Sequence, residues 1–166
     1  MGQEPWATPT HERGHLGQSL WLREIHGRED GDAPPVDLTL EKNSGEFVRE
    51  LIDAGLVSAV HDVSDGGIAV ALAEMALAGG FGAEVQPHPD YPQTAWWFGE
   101  DQGRYLLTVP DVEAFQAQLA KGTRDADTAS SGLRRIGTVR GSTLAGVPLA
   151  TLREASDSFF RDWMEG

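Results

Sequence analysis

Two short polar turns hold most of the groups able to do chemistry. The first, His61-Asp62-Val63-Ser64-Asp65-Gly66-Gly67, gathers two carboxylates, an imidazole, a hydroxyl and two adjacent glycines. The second, Gly99-Glu100-Asp101-Gln102-Gly103, is acidic and bracketed by glycine. Asp62, Asp65 and Glu100 are hard oxygen ligands of the kind Mg²⁺ takes together with substrate phosphates. Gly66 and Gly67 let backbone N–H groups approach an anion at a helix start, where the helix dipole favours negative charge. His61 can serve as a base or as a neutral phosphate contact. Structural readings stand beside these. Ser64 or Asp65 can cap the following helix, Asp62 can pair with Arg104, and the glycine pair can exist for close helix–strand packing. On the residues alone, an anion or Mg²⁺ site and a structural turn both remain open. A third pattern, His11-Glu12-Arg13-Gly14-His15, matches the H-E-x-x-H zinc motif in letters. That motif needs a helix with an anchored apolar face. Pro9 before it, Gly14 within it and Gly17 after it argue for a chance match.

The elements around the turns follow from periodicity. Leu56, Val57, Ala59 and Val60 read as a buried strand feeding the first turn, and an Ala-rich helix over 68–78 leaves it and stops at Gly79 and Gly80. Ala69, Ala73 and Ala76 suit close approach to a sheet, with Met75 as core filler. Upstream, a short helix spans 16–27, and Asp37 caps a long one to about 54 with the stripe Leu40, Phe47, Val48, Leu51, Ile52. Downstream, 82–85 reads as a strand, 86–94 as a proline-rich loop and 95–98 (AWWF) as a strand entering a hairpin with 104–109. In that strand Trp96 and Trp97 alternate, one ring inward and one outward toward a partner. A helix covers 112–121, a polar linker 123–132, and a strand 133–140. Thr151 caps a last helix with Leu152, Ala155, Phe159, Phe160 and Trp163 facing the core. Residues 1–15 read as a flexible lead-in or the remnant of something longer, and 16–166 as a single domain. The fold class is α+β, a mixed sheet layered with helices.

Composition narrows the partners. Thirteen basic against twenty-six acidic residues give −13, which repels a phosphate backbone and argues against nucleic acid. Forty per cent hydrophobic residues and five Trp support a packed core. With no Cys, disulfides and thiolate metal sites are excluded, and a cytoplasmic setting is compatible. No apolar run reaches membrane-spanning length, and the N-terminus lacks the apolar core of a signal peptide.

Several stretches in order, HLGQSLWLREI, PPVDLTLEKNSGEFVRELIDAGLVSAV, HDVSDGGIAVALAEMALAGG and FGEDQGRYLLTV, resemble the C-terminal domain of phosphoribosylformylglycinamidine synthase from about residue 15 to the end. The resemblance implies a fold like the C-terminal domain of aminoimidazole ribonucleotide synthetase. It implies a part, inactive alone, of an ATP- and Mg²⁺-dependent ligase. That ligase converts formylglycinamide ribonucleotide to formylglycinamidine ribonucleotide with ammonia that a partner glutamine amidotransferase supplies. The family protein carries two related copies of this domain, and this chain is similar to the second, whose companion site holds a nucleotide in some members. The resemblance maps Asp62 to a Mg²⁺-binding position, and Gly66, Gly67, Glu100 and Gln102 to nucleotide or substrate contacts of a degenerate second site. It assigns no catalytic residue; His61 does not match the family's catalytic histidine. The expected partners are the remaining domains of the synthetase and the amidotransferase subunit, with self-association of an isolated fragment through exposed apolar surface. The alternatives are a non-catalytic, nucleotide-holding scaffold, or another superfamily member such as aminoimidazole ribonucleotide synthetase or selenophosphate synthetase.

Overall fold

The computed structural model describes residues 3–7, 14–121 and 133–165. The zinc-motif residues His11 and Glu12 and the linker at 123–132 lie outside them.

Fourteen elements succeed one another among the described residues: β1 (Glu4–Ala7), α1 (Leu20–His26), α2 (Leu38–Asp53), β2 (Ala59–Asp62), α3 (Gly67–Gly79), β3 (Ala83–Val85), α4 (Gln93–Phe98), β4 (Tyr105–Val109), α5 (Val112–Lys121), β5 (Arg134–Arg135), β6 (Gly137–Val139), β7 (Thr143–Leu144), β8 (Val147–Pro148) and α6 (Leu149–Glu165). One sheet runs β2-β4-β1-β5, antiparallel throughout, and a second runs β6-β3-β7-β8 with β3 and β7 parallel. This is the expected α+β class, with the sheet divided in two.

β4 organises the layers. Its residues alternate between faces. Leu106 packs with Val63, Ile68, Leu72 and Trp96 under α3 and α4. Leu107 and Val109 pack with Val48, Leu51 and Phe115 under α2 and α5. Both leucines and Phe115 are fully buried. α2 forms where expected: the Asp37 carboxylate accepts from the Thr39 and Leu40 amides, and Val48 and Leu51 carry its stripe inward. Ile52, expected in that stripe, is exposed.

Several expectations are corrected. Glu4–Ala7 is no lead-in: it is β1, an interior strand of the first sheet, with Trp6 buried against Phe115 at 5.2 Å between ring centroids. Residues 95–98 belong to helix α4. Pro92 at φ −54° precedes it, and the Trp96 and Gly99 amides donate to the Pro92 and Ala95 carbonyls, so no hairpin forms across the second turn. A helix sets the two tryptophans on the same cluster. Trp96 is buried, Trp97 packs partly buried against that cluster, and their rings meet edge-on at 4.7 Å. The outward ring expected of a strand is not there.

Residues 133–140 make two strands in two sheets. Ile136 sits between them, its amide donating to the Pro5 carbonyl and its carbonyl accepting from the Gln86 amide. The last helix starts at Leu149, so Thr151 lies inside it. Leu149 and Leu152 reach the core, whereas Phe159 and Trp163 are 63% and 79% exposed.

Candidate functional site

β2 delivers the first turn to the end of the sheet. Val63 is held by its amide's bond to the Arg104 carbonyl and by burial under α3. Ser64 and Asp65 then turn outward, and Gly66 and Gly67 both take positive φ. Glycine is required at position 67: a Cβ there would lie 2.7 Å from the Gly99 carbonyl oxygen. This is where the two turns meet. No side chain of the turn caps α3, so neither Ser64 nor Asp65 is the expected cap; Gly66 itself occupies that position.

The Asp62 carboxylate is 70% exposed and 3.9 Å from His61 Nδ1. It does not pair with Arg104, contrary to one of the structural readings. His61 turns its Nε2 to Glu74 on α3, at 2.9 Å, and so is engaged away from the turns. Asp62 contributes one carboxylate toward a cation. Among the described residues no group of three or more His, Asp or Glu side chains could hold a metal. Mg²⁺ would therefore need phosphate, water or groups from elsewhere to complete its six oxygens, and the described residues alone do not make the site. His15, the last residue of the H-E-x-x-H match, has Nε2 2.7 Å from the Asp32 carbonyl oxygen, in a loop contact.

The second turn is built inward. Glu100 is 9% exposed, and its Oε1 accepts from the Gly66 amide at 2.8 Å and from the Leu20 amide at 2.7 Å. Asp101, 1% exposed, takes the Gly14 and His15 amides on its two oxygens at 3.1 and 3.0 Å. Arg104 lies 3.5 Å from Asp101 and donates to the Gly99 carbonyl. Burial lowers the Arg104 pKa and the Asp101 charge opposes that shift. Gln102 alone among the polar residues of this turn faces solvent. Of the expected contacts, then, Asp62 and Gln102 are reachable from outside, while Gly66, Gly67 and Glu100 are committed to internal packing and hydrogen bonds. Sequence reasoning missed the pairing of Asp101 with Arg104. Their i, i+3 spacing beside a strand start is the signal that could have paired them.

A groove of about 610 Å³ lies along the α3 side of the first sheet, floored by Leu106 and Thr108 and walled by Leu72 and Met75, with His61 and Glu74 in its lining.

The chain matches the family model "AIR synthase related protein, C-terminal domain" over residues 7–143. It is 62% identical over 165 residues to the phosphoribosylformylglycinamidine synthase subunit PurL of Erythrobacter litoralis, covering 99% of this chain and 22% of that protein. The chain spans about a fifth of the length of the curated relatives it matches. Its fold is similar to that of Thermotoga maritima PurL complexed with FGAR, at TM-score 0.65 and 19% identity, covering 91% of this chain and 28% of that one. PurL of the same organism complexed with ATP gives 0.61 at 19% identity, covering 91% and 25%.

Proposed function

The chain belongs to the AIR synthase related family as a C-terminal domain, and on that premise we propose that it is the C-terminal part of a phosphoribosylformylglycinamidine synthase. In that role it contributes to the ATP-dependent conversion of formylglycinamide ribonucleotide and ammonia to formylglycinamidine ribonucleotide. The observation that carries this reading is the 62% identity over 165 residues to the Erythrobacter litoralis subunit. The synthetase works in the cytoplasm with a glutamine amidotransferase as its ammonia source. Among the described residues no helix is long and apolar enough to cross a membrane.

Within that enzyme the chain's own residues have limited tasks. The exposed Asp62 carboxylate would supply one oxygen to the Mg²⁺ that accompanies ATP, and Gln102 would offer an amide to nucleotide or substrate from the adjoining turn. Mg²⁺, when bound, neutralises phosphate charge; Asp101 and Arg104 hold the turn in place. A scaffold reading of this copy is favoured by one observation: Glu100 and the Gly66 amide already satisfy each other.

A chimera tests both readings. This chain replaces the corresponding C-terminal segment of the Erythrobacter litoralis subunit, and ammonia-dependent product formation is followed with ATP and Mg²⁺. Turnover near that of the parent subunit is expected; a soluble, folded chimera without turnover refutes the assignment. In the active chimera, Asp62→Asn raises the Mg²⁺ concentration needed for half-maximal rate if Asp62 is a ligand. An unchanged Mg²⁺ dependence leaves the scaffold reading.

A further inference from the structure

Among the described helices α1, α3, α4 and α6 start without an acidic side chain in the first turn. α3 also lacks a side-chain cap. Helix starts carry unpaired N–H groups and partial positive charge that an anion complements. One carboxylate answers two of these starts, those of α1 and α3. Glu100 Oε1 takes the Leu20 amide at the first residue of α1 and the Gly66 amide at the start of α3, at 2.7 and 2.8 Å, in a site nine-tenths buried. The donors stand 80 and 34 residues from Glu100 in the sequence. The Gly67 amide is taken by the Ser64 carbonyl at 3.0 Å.

We propose that Glu100 is a built-in anion for the α1 and α3 starts, which closes the Gly66 N–H to ligand phosphate and latches three distant segments together. The glycine pair that reads as a phosphate cradle in the sequence is a seat the chain fills itself. A nucleotide held near these turns has to be contacted through outward groups such as Asp62, Ser64, Asp65 and Gln102. This inference stands on the geometry of Glu100 and does not depend on the assigned reaction.

Chemical rescue tests it on the 166-residue chain. Glu100→Ala removes the anion and leaves room for a small carboxylate. Losing two charge-assisted hydrogen bonds lowers Tm by roughly 5–15 °C. Acetate at tens of millimolar, against chloride of equal ionic strength, restores several degrees to this variant and adds nothing to the parent. Glu100→Gln keeps an acceptor oxygen without the charge. Its Tm falls between the two and acetate does not raise it. Acetate raising parent and Glu100→Ala alike would be general salt stabilisation and would overturn the proposal, as would Glu100→Gln equal to the parent. Should Glu100→Ala not fold, the parent decides with Glu100→Gln. Inorganic phosphate leaves the parent's Gly66 amide resonance unmoved if the seat is filled, and a saturable shift there overturns the proposal.

Discussion

Replacing Asp101 with Ala should be among the most damaging polar substitutions in this domain, and the structure sets its size. The carboxylate is 1% exposed and faces Arg104, itself 5% exposed, whose Nε has no hydrogen-bond partner. Deleting the carboxylate strands a buried guanidinium, a cost of about 3–5 kcal/mol. It also frees the Gly14 and His15 amides, each worth about 1–3 kcal/mol when left unsatisfied. Both bonds are only partly buried, so water recovers part of that loss, and the sum comes to about 4–6 kcal/mol. Against a total of about 5–15 kcal/mol for a domain, that is roughly a quarter or more of the stability. Urea unfolding followed by tryptophan fluorescence and far-ultraviolet circular dichroism measures it. The control is the double variant Asp101→Ala/Arg104→Leu, which removes the stranded charge. Its loss should be smaller than the sum of the single losses by at least about 2 kcal/mol. A loss under about 1 kcal/mol for Asp101→Ala, or strict additivity in the cycle, refutes the argument that the pair is coupled and buried.

Phe115→Ala, at a fully buried ring 5.2 Å from Trp6, should cost about 3–5 kcal/mol and shift the tryptophan emission; a loss below about 1.5 kcal/mol would mean the site collapses around the gap. Gly67→Ala forces a Cβ within 2.8 Å of the Trp97 and Gly99 carbonyl oxygens at φ +66°, so this variant should lose soluble expression or cooperative unfolding, whereas Gly80→Ala, with open space around it, should fold with a lower Tm. The Arg28 guanidinium hydrogen-bonds Asp30 on both oxygens and holds its carboxyl below the usual range. Since the folded pKa lies below the unfolded one, that contribution is present at neutral pH and fades as pH falls through the folded value. An NMR titration of the Asp30 carboxyl should show a lowered midpoint that returns toward normal in Arg28→Ala, and an unchanged midpoint would refute the pairing.

The sequence was most legible where local signals and tertiary packing agree. The Asp37 cap, the α2 helix with Val48 and Leu51 inward, and the Ala-rich α3 form as read, because each needs only neighbours within a turn or two; Ile52 is the exception in the α2 stripe. It misled where packing overrode the local pattern. AWWF has strand composition, but four residues after Pro92 cannot outweigh burial of Trp96 beneath α3. The Phe159 and Trp163 spacing marks an amphipathic helix correctly and says nothing of whether a sheet reaches that far. At the site, residue types revealed that the two turns are unusual. What they could not reveal is direction: Asp62 faces out, whereas Glu100 and Asp101 face in toward amides that lie 34 to 87 residues away in sequence. A carboxylate that binds a ligand and one that binds its own backbone are written with the same letters.

The position of β1 sets the order in which the domain can be assembled. Residues 4–7 leave the ribosome ahead of the other strands described here, yet their register partners are Leu106–Val109 on one side and Arg134 and Arg135 on the other. At about 5–20 residues per second the opening strand waits roughly 5–20 s for β4. α2 and α3 are complete by then and have no first sheet to lie on. The slow event in folding should therefore be the late closure of the sheet around its earliest strand, with Trp6 as the natural fluorescent reporter of it.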